Sequence, residues 1–376
     1  MKFDKLYWTI KTKNEMKKSI YLLSFFIAVV SCKEAINKKL DPEMSKQRDS
    51  ITNQVLQVAE FIGQQVTGVT VTSTERIFVN FPRWRKGVEN SVVEITKDNQ
   101  KLAYPNEEWN SWEIGNAVED QKFIGVQSVV AFENKLYVLD TRSPLFGAVL
   151  DAPRLFVFNL NDNKLEKTYI LEKDSYYPNS YINDLRVDAK NNKIYCTDSG
   201  RAGLIVLDMT SGKSTRVLDN HFSTKAEQAY LTFGDKKWEN TINSDGIALD
   251  TKNDLLYFHA LTGYSLYSVP TKVLANANNA EVEKSVKLVA KTAAPDGMIL
   301  DENGTLYFAD LENNKIMYRK QDGSIHTLVE GEKIRWADTF SIYNHYLYFT
   351  NSRINEVTGA ISNMTFTLNK IKLADD

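Results

Sequence analysis

Ser244-Asp245-Gly246-Ile247-Ala248-Leu249-Asp250, followed by Leu255-Leu256-Tyr257-Phe258, decides the fold because it recurs. Pro295-Asp296-Gly297-Met298-Ile299-Leu300-Asp301 leads into Leu306-Tyr307-Phe308-Ala309-Asp310. Asn183-Asp184-Leu185-Arg186-Val187-Asp188 leads into Ile194-Tyr195-Cys196-Thr197-Asp198. Ala337-Asp338-Thr339-Phe340 precedes Tyr346-Leu347-Tyr348-Phe349, and Gln127-Ser128-Val129-Val130 precedes Leu136-Tyr137-Val138-Leu139-Asp140. Each copy is a short apolar strand, a turn rich in Asn, Asp, Gly and Lys, and a second strand with a Tyr. Tyr137, Tyr195, Tyr257, Tyr307 and Tyr348 lie roughly 40 to 60 residues apart, the period at which a radial array of small sheets repeats.

Further strands follow each pair. Leu155-Phe156-Val157-Phe158 and Lys167-Thr168-Tyr169-Ile170-Leu171 complete the second unit. A first unit runs from Val69 to Tyr104. Six units make an all-β chain, a six-bladed β-propeller over residues 53–376. Blade six shows three strands, and residues 55–61 form an orphan strand ahead of blade one. That N-terminal strand is expected to close the last blade and protect its edge. Only residues 272–283 look helical.

Of the 376 residues, 43% are hydrophobic and 25% charged, and the net charge is −2. That balance describes a globular protein and argues against nucleic acid as a partner. Two cysteines, Cys32 and Cys196, are too few for a disulfide framework. Cys196 lies in a strand pattern and reads as a small buried residue.

Cys32 has a different explanation. Met16-Lys17-Lys18 is a basic start, residues 19–31 are nearly all apolar, and Val29-Val30-Ser31-Cys32 ends the run. This is the layout of a secretory signal, with an apolar core short for a membrane span. Its end resembles the lipobox of bacterial lipoproteins, in which the Cys becomes the acylated first residue. Residues 1–15 read as an upstream extension, 16–32 as a lipoprotein signal and 33–52 as a flexible tether. The expectation is an exported bacterial lipoprotein, periplasmic or at the cell surface, touching the membrane only through lipid on Cys32.

Asp184, Asp245, Asp296 and Asp338 open inner strands on one face of the ring. Gln127 takes the matching place in blade two, and Asn183 precedes Asp184. Asp140, Asp198 and Asp310 end second strands on that face, and His259 holds that place in blade four. Two explanations stay open. Asp before Gly can satisfy turn amides, or a ring of carboxylate and amide oxygens can bind Ca²⁺ or a polar ligand. The candidate ligand contacts are Gln127, Asn183, Asp184, Asp245, His259, Asp296 and Asp338, with Asp245 and Asp296 as candidate metal ligands. Carboxylates this close need a cation, a basic partner or raised pKa values. Long loops on the same face carry Trp109 and Trp112, then Tyr176, Tyr177 and Tyr181, then Phe233 and Trp238. They suit either an aromatic wall for a small ligand or simple packing of loops onto blades. The histidines show no zinc spacing.

Asp198-Ser199-Gly200-Arg201-Ala202-Gly203-Leu204-Ile205-Val206 resembles the Yellow and major royal jelly protein family. So do the segment running from His259-Ala260-Leu261-Thr262-Gly263-Tyr264 to Val269-Pro270-Thr271, and Trp336-Ala337-Asp338-Thr339-Phe340. The resemblance covers residues 66–352. It implies a six-bladed propeller and, as in insect members, small amines bound in the tunnel. Some members are called dopachrome-conversion proteins, and bacterial ones are often described as lactonase-like. In the related gluconolactonase and regucalcin-like group, a catalytic divalent metal is held by Asn or Asp before Gly in successive blades. Asp184, Asp245 and Asp296 match that pattern, but blade one has Thr67-Gly68 where that group has an acidic ligand. Three functions therefore stand: binding a small polar or aromatic molecule at the tunnel mouth, with isomerisation as a further step; Ca²⁺-dependent lactone hydrolysis; and a non-catalytic interaction platform.

Overall fold

The structure, a computed structural model, describes residues 55–373. The expected extension, signal, Cys32 and tether lie outside the described residues. Strand β1 (Leu56–Ile62) comes first. Blade one is β2 (Gly68–Val71), β3 (Ile77–Asn80), β4 (Val92–Ile95) and β5 (Lys101–Ala103). Blade two is β6 (Val126–Phe132), β7 (Lys135–Asp140), β8 (Arg154–Asn159) and β9 (Lys164–Ile170). Blade three is β10 (Ile182–Asp188), β11 (Lys193–Asp198), β12 (Gly203–Asp208) and β13 (Ser214–Val217). A small hairpin, β14 (Leu231–Phe233) and β15 (Lys236–Trp238), precedes blade four: β16 (Ser244–Asp250), β17 (Leu255–Ala260), β18 (Ser265–Pro270) and β19 (Lys287–Lys291). Blade five is β20 (Met298–Leu300), β21 (Leu306–Asp310), β22 (Lys315–Arg319) and β23 (Ile325–Glu330). Blade six is β24 (Ala337–Tyr343), β25 (Tyr346–Asn351) and β26 (Thr365–Lys372), with β1 antiparallel to β26 on its outer side.

Every blade is a four-stranded antiparallel sheet. Each inner strand neighbours the next, β2 to β6, β10, β16, β20 and β24, and β24 returns to β2. Period-2 alternation puts apolar side chains on both faces of each blade, and these interlock between blades. Leu139 and Leu155 of blade two meet Leu185, Cys196 and Ile205 of blade three, all fully buried. Burying each of the larger of these side chains contributes roughly 1.5–3 kcal/mol. The expected helix over 272–283 is two short ones, Thr271–Asn276 and Asn279–Ser285. Ala277 turns left-handed between them (φ 49°), and Asn278 caps the second by accepting from Glu281 N. A further helical turn, Glu107–Asn110, falls outside the only stretch expected to be helical; Asn106 starts it by accepting from Trp109 N.

A local irregularity sets up the tunnel mouth. In blades two, three, four and six the inner strand carries one more residue than its partner strand. The register slips between Val126 and Ser128, Ile182 and Leu185, Ser244 and Ile247, and Ala337 and Phe340. These are β-bulges, which unpair a residue and re-aim its side chain. They fall on Gln127, Asn183-Asp184, Asp245-Gly246 and Asp338-Thr339. Blade one runs from Gly68 to Val71 against β3 with no slip, and it has no acidic residue there.

The glycines after Asp245 and Asp296 answer to close approach. A Cβ on Gly246 would stand 2.7 Å from Met298 Sδ and 3.0 Å from Asp296 O; one on Gly297 would stand 2.9 Å from Asp338 O. The neighbouring inner strand is simply too near for a side chain. Threonines at the ends of second strands tie blade to blade: Thr141 Oγ1 accepts from Ile182 N (3.0 Å), Thr197 Oγ1 donates to Asp245 O (2.9 Å), and Thr350 Oγ1 donates to Thr67 O. Gly297→Ala is expected to cost about 1–3 kcal/mol, read as a lower urea midpoint with an unchanged slope; an unchanged midpoint would contradict the close-approach argument.

Candidate functional site at the tunnel mouth

The bulges bring most of the sequence-predicted residues together. A directed chain of hydrogen bonds runs around the mouth. Trp84 Nε1 donates to Tyr181 Oη (2.5 Å), and Tyr181 Oη donates to Gln127 Oε1 (2.8 Å). Gln127 Nε2 donates to Asn183 Oδ1 (3.1 Å), and Asn183 Nδ2 donates to Asp245 Oδ2 (2.6 Å). The Asp245 and Asp296 carboxyls lie close enough to perturb one another directly. From the other side, Trp336 Nε1 donates to Asp296 Oδ2 (2.6 Å). Donors thus converge on the Asp245–Asp296 pair from both directions, and Asp338 lies close enough to add its charge.

Asp245, Asp296 and Asp338 are 4%, 8% and 7% exposed. Among the described residues no Lys or Arg forms an ion pair with any of them. Burial raises the Asp296 carboxyl to about 7, partly opposed by the Trp336 N–H. Burial also pushes Asp245 well up, reinforced by Asp296, Asp338 and Asp184. Asp338 is raised by burial first and then by Asp296. Two buried carboxyls this close, both held above the usual carboxylate range, favour retention of a proton between them. Burial also raises the Tyr181 hydroxyl, with nearby carboxylates adding to the effect, so it stays a donor.

Asp184 stands slightly apart and is compensated. Its Oδ1 accepts from Ser128 Oγ (2.7 Å) and its Oδ2 from Arg186 Nη1 (2.9 Å). Arg186 Nη2 reaches Met298 O (2.7 Å), so this pair braces blade three against blade five. Asp184 and Arg186 also line a cavity of about 290 Å³ whose walls come from all six inner strands, Val71 and Phe340 among them.

Several candidates do other work. His259 is buried and outside the cluster: Nδ1 donates to Ala260 O (2.7 Å), Nε2 pairs with Thr292 Oγ1 (2.8 Å), and burial lowers it to about 4. It is a neutral strut inside blade four. Asp140 accepts from the backbone N–H groups of Ile124 (2.7 Å), Gly125 (2.8 Å) and Arg142 (3.0 Å). Asp198 accepts from Tyr181 N (2.8 Å) and Arg201 N (2.9 Å), and Asp310 from Asn313 Nδ2 (2.9 Å). The second-strand carboxylates therefore hold loops, as turn chemistry allows. Trp109 packs among Phe123, Phe156 and Phe158 in the core. Phe233 and Trp238 pack on Trp336 and fix the indole that serves Asp296. Tyr181 is the one loop aromatic of that expected set bonded into the chain. Trp84 and Trp336 belong to the site without having been expected there; the Trp336-Ala337-Asp338 juxtaposition is the sequence signal for the second.

The ordinary Asp value is 3.8, and a folded-state value near 7 means the folded protein binds this proton more tightly than the unfolded chain. The stability it contributes is fully present below about pH 4 and is lost as pH rises through about 7. Acidifying from about pH 8 to about pH 5.5 should raise the thermal midpoint more in wild type than in an Asp245→Asn/Asp296→Asn variant; identical pH profiles would contradict the shared proton.

The family model described as Major royal jelly protein matches residues 126–373. Dopaminechrome tautomerase of Drosophila melanogaster is 24% identical over 219 residues, covering 54% of this chain and 47% of the relative. Major royal jelly protein 5 of Apis mellifera is 25% identical over 254 residues, covering 64% of this chain and 42% of the relative. Each match thus spans less than half of the relative's own length. Among solved structures, a luciferin-regenerating enzyme superposes with a TM-score of 0.54 at 10% identity, over 85% of this chain and 97% of that one. A calcium-binding protein, regucalcin, from Agrobacterium tumefaciens superposes at 0.50 with 14% identity, over 84% and 94%. These superpositions speak to the propeller fold alone. On the matched residues and the architecture they build, the chain belongs to the major royal jelly protein family.

Proposed function

We propose that this propeller binds a small planar molecule bearing an amine or phenol at the tunnel mouth and tautomerises it. The observation that carries the reading is the buried Asp245–Asp296 pair at the convergence of two lines of hydrogen-bond donors, with no Lys or Arg paired to it among the described residues. Tautomerisation removes a proton from one atom of the substrate and delivers one to another. A carboxyl pair with one proton is equipped for both halves, because the ionised member accepts while the protonated member gives. Both carboxyls are raised by burial and lie close enough to perturb one another, so the pair acts as a unit that gives and takes the proton. Asn183 Nδ2 fixes the pair by donating to Asp245 Oδ2 (2.6 Å). Net charge in the site is unchanged across the step, which suits a buried location. The relative named dopaminechrome tautomerase supports this class of reaction.

Calcium-dependent lactone hydrolysis is the second reading, favoured by carboxylates without a paired cation. The fit to a divalent ion is poor. One oxygen of Asp245 and one of Asp296 already accept N–H bonds at 2.6 Å. Among the described residues no three His, Cys, Asp or Glu side chains group as ligands, whereas Ca²⁺ takes about 6–8 oxygens. Thr67 stands at the blade-one position. No step is therefore routed through a metal.

The same proposal places the propeller outside the cytoplasm, anchored through lipid on Cys32. Palmitate labelling that disappears in Cys32→Ala supports this, and labelling that persists contradicts it. For the reaction, Asp245→Asn and Asp296→Asn should each lower the rate of dopaminechrome conversion by about 10²-fold or more, with wild-type turnover unaffected by EDTA. Full activity in both variants would overturn the carboxyl-pair mechanism, and loss of activity in EDTA would return the metal reading to first place.

A further inference from the structure

Away from the tunnel, a second pocket of about 450 Å³ lies between blade one and blade six. Three stretches of chain build it: residues 62–65 between β1 and β2, residues 82–88 between β3 and β4, and residues 360–362 ahead of β26. Its charge is one-sided. Arg85 and Lys86 line it, and no Asp or Glu does. Among the described residues neither cation forms an ion pair.

Arg85 carries the argument. A guanidinium grips two oxygens at once through its parallel Nε–H and Nη2–H. Elsewhere in this protein that edge holds a carboxylate. Arg76 Nε and Nη2 donate to the two oxygens of Glu94 (2.7 and 2.8 Å), and Arg201 Nε and Nη2 donate to those of Asp219 (3.3 and 3.1 Å). Arg85 is held by its other side. Its Nη1 donates to Gln65 Oε1 (2.7 Å), and buried Gln65 is fixed in turn by donating from Nε2 to Ser352 O (2.7 Å). Arg85 Nε and Nη2 have no partner among the described residues. The group that orients the guanidinium is a neutral amide, so its charge stays uncancelled. Burial accordingly lowers Arg85 with no carboxylate opposing it, whereas Glu94 raises Arg76.

The surroundings are steady and partly apolar. Gln64 Nε2 donates to Gly87 O (3.1 Å) and braces the loop that carries both cations. Ile62, 65% exposed, stands in the wall with Val88 and Ile361. The space exceeds what a bare oxyanion needs and leaves room for an organic body.

We propose that this pocket binds a small organic oxyanion, a carboxylate or a phosphate ester, gripped side-on by Arg85 Nε and Nη2. Lys86 adds positive charge beside it, and the apolar part of the ligand lies against Ile62 and Val88. The guanidinium is oriented before the ligand arrives, so little side-chain freedom is lost on binding. The site is independent of the carboxyl pair and stands whether or not that pair moves protons.

The test is calorimetric titration of the full chain with phenyl phosphate, with benzoate and, as the uncharged control, with benzyl alcohol. Wild type should bind at least one of the two anions, and the tighter one identifies the head group. Arg85→Met should weaken that anion by about tenfold or more, and Lys86→Glu, a change at an exposed residue that leaves the fold intact, by about tenfold. Binding of neither anion by wild type at about 10 mM would overturn the proposal. So would an anion bound equally well by wild type and both variants, which would place it elsewhere. Benzyl alcohol bound as tightly as the anions would reduce the pocket to an apolar contact and overturn the oxyanion grip.

Discussion

Two carboxyl groups, Asp245 and Asp296, are buried against one another with no cation paired to either, and the rest of the mouth is arranged around that constraint. An isolated buried carboxylate is costly, and two adjacent ones are costlier still. The structure meets part of the cost with donors from both sides, Asn183 Nδ2 and Trp336 Nε1, and the raised carboxyls favour a retained proton for the rest. Arg186, the nearby guanidinium, is committed to Asp184 and Met298 O and leaves the pair alone. A cation seated against the pair would have removed its capacity to exchange protons near neutrality.

Much of the local architecture follows from holding that pair in place. The bulge at Asp245-Gly246 turns the Asp245 side chain out of the blade, and the glycine admits the neighbouring inner strand. Thr197 binds the Asp245 carbonyl, so the backbone carrying the acid is fixed from blade three. The hairpin of β14 and β15 packs Phe233 and Trp238 onto Trp336, which aims its N–H at Asp296. In the chain from Trp84 to Asp245 every member donates onward, so each bond polarises the next in the same sense. A propeller is well suited to this because blades two to six each bring polar residues to the ring at their inner strands.

The blades were legible in the sequence because their signals are local: apolar alternation, polar turns and a recurring Tyr on the second strand. The positions of Asp184, Asp245, Asp296 and Asp338 at the starts of inner strands followed from the same repeat. The bulges were not legible, because an extra residue is defined only against its partner strand. The second-strand acids looked equivalent to the inner-strand acids by position, yet Asp140 and Asp198 bind loop amides and His259 is a strut within its blade. Trp109 has the same composition signal as a site aromatic but sits in the core. Trp84 meets the mouth only because blade one lies near the loop that carries Tyr181, and nothing in its neighbourhood in the chain links it to that residue.

The central claim is that the Asp245–Asp296 pair holds one proton at neutral pH in the folded protein. Infrared difference spectroscopy between wild type and Asp245→Asn reads this directly, through the carbonyl stretch of a protonated carboxylic acid in a buried site. A protonated-acid band at about pH 6, present in wild type and lost in the variant, is the predicted result. A wild-type spectrum with only ionised carboxylate bands at that pH would contradict it.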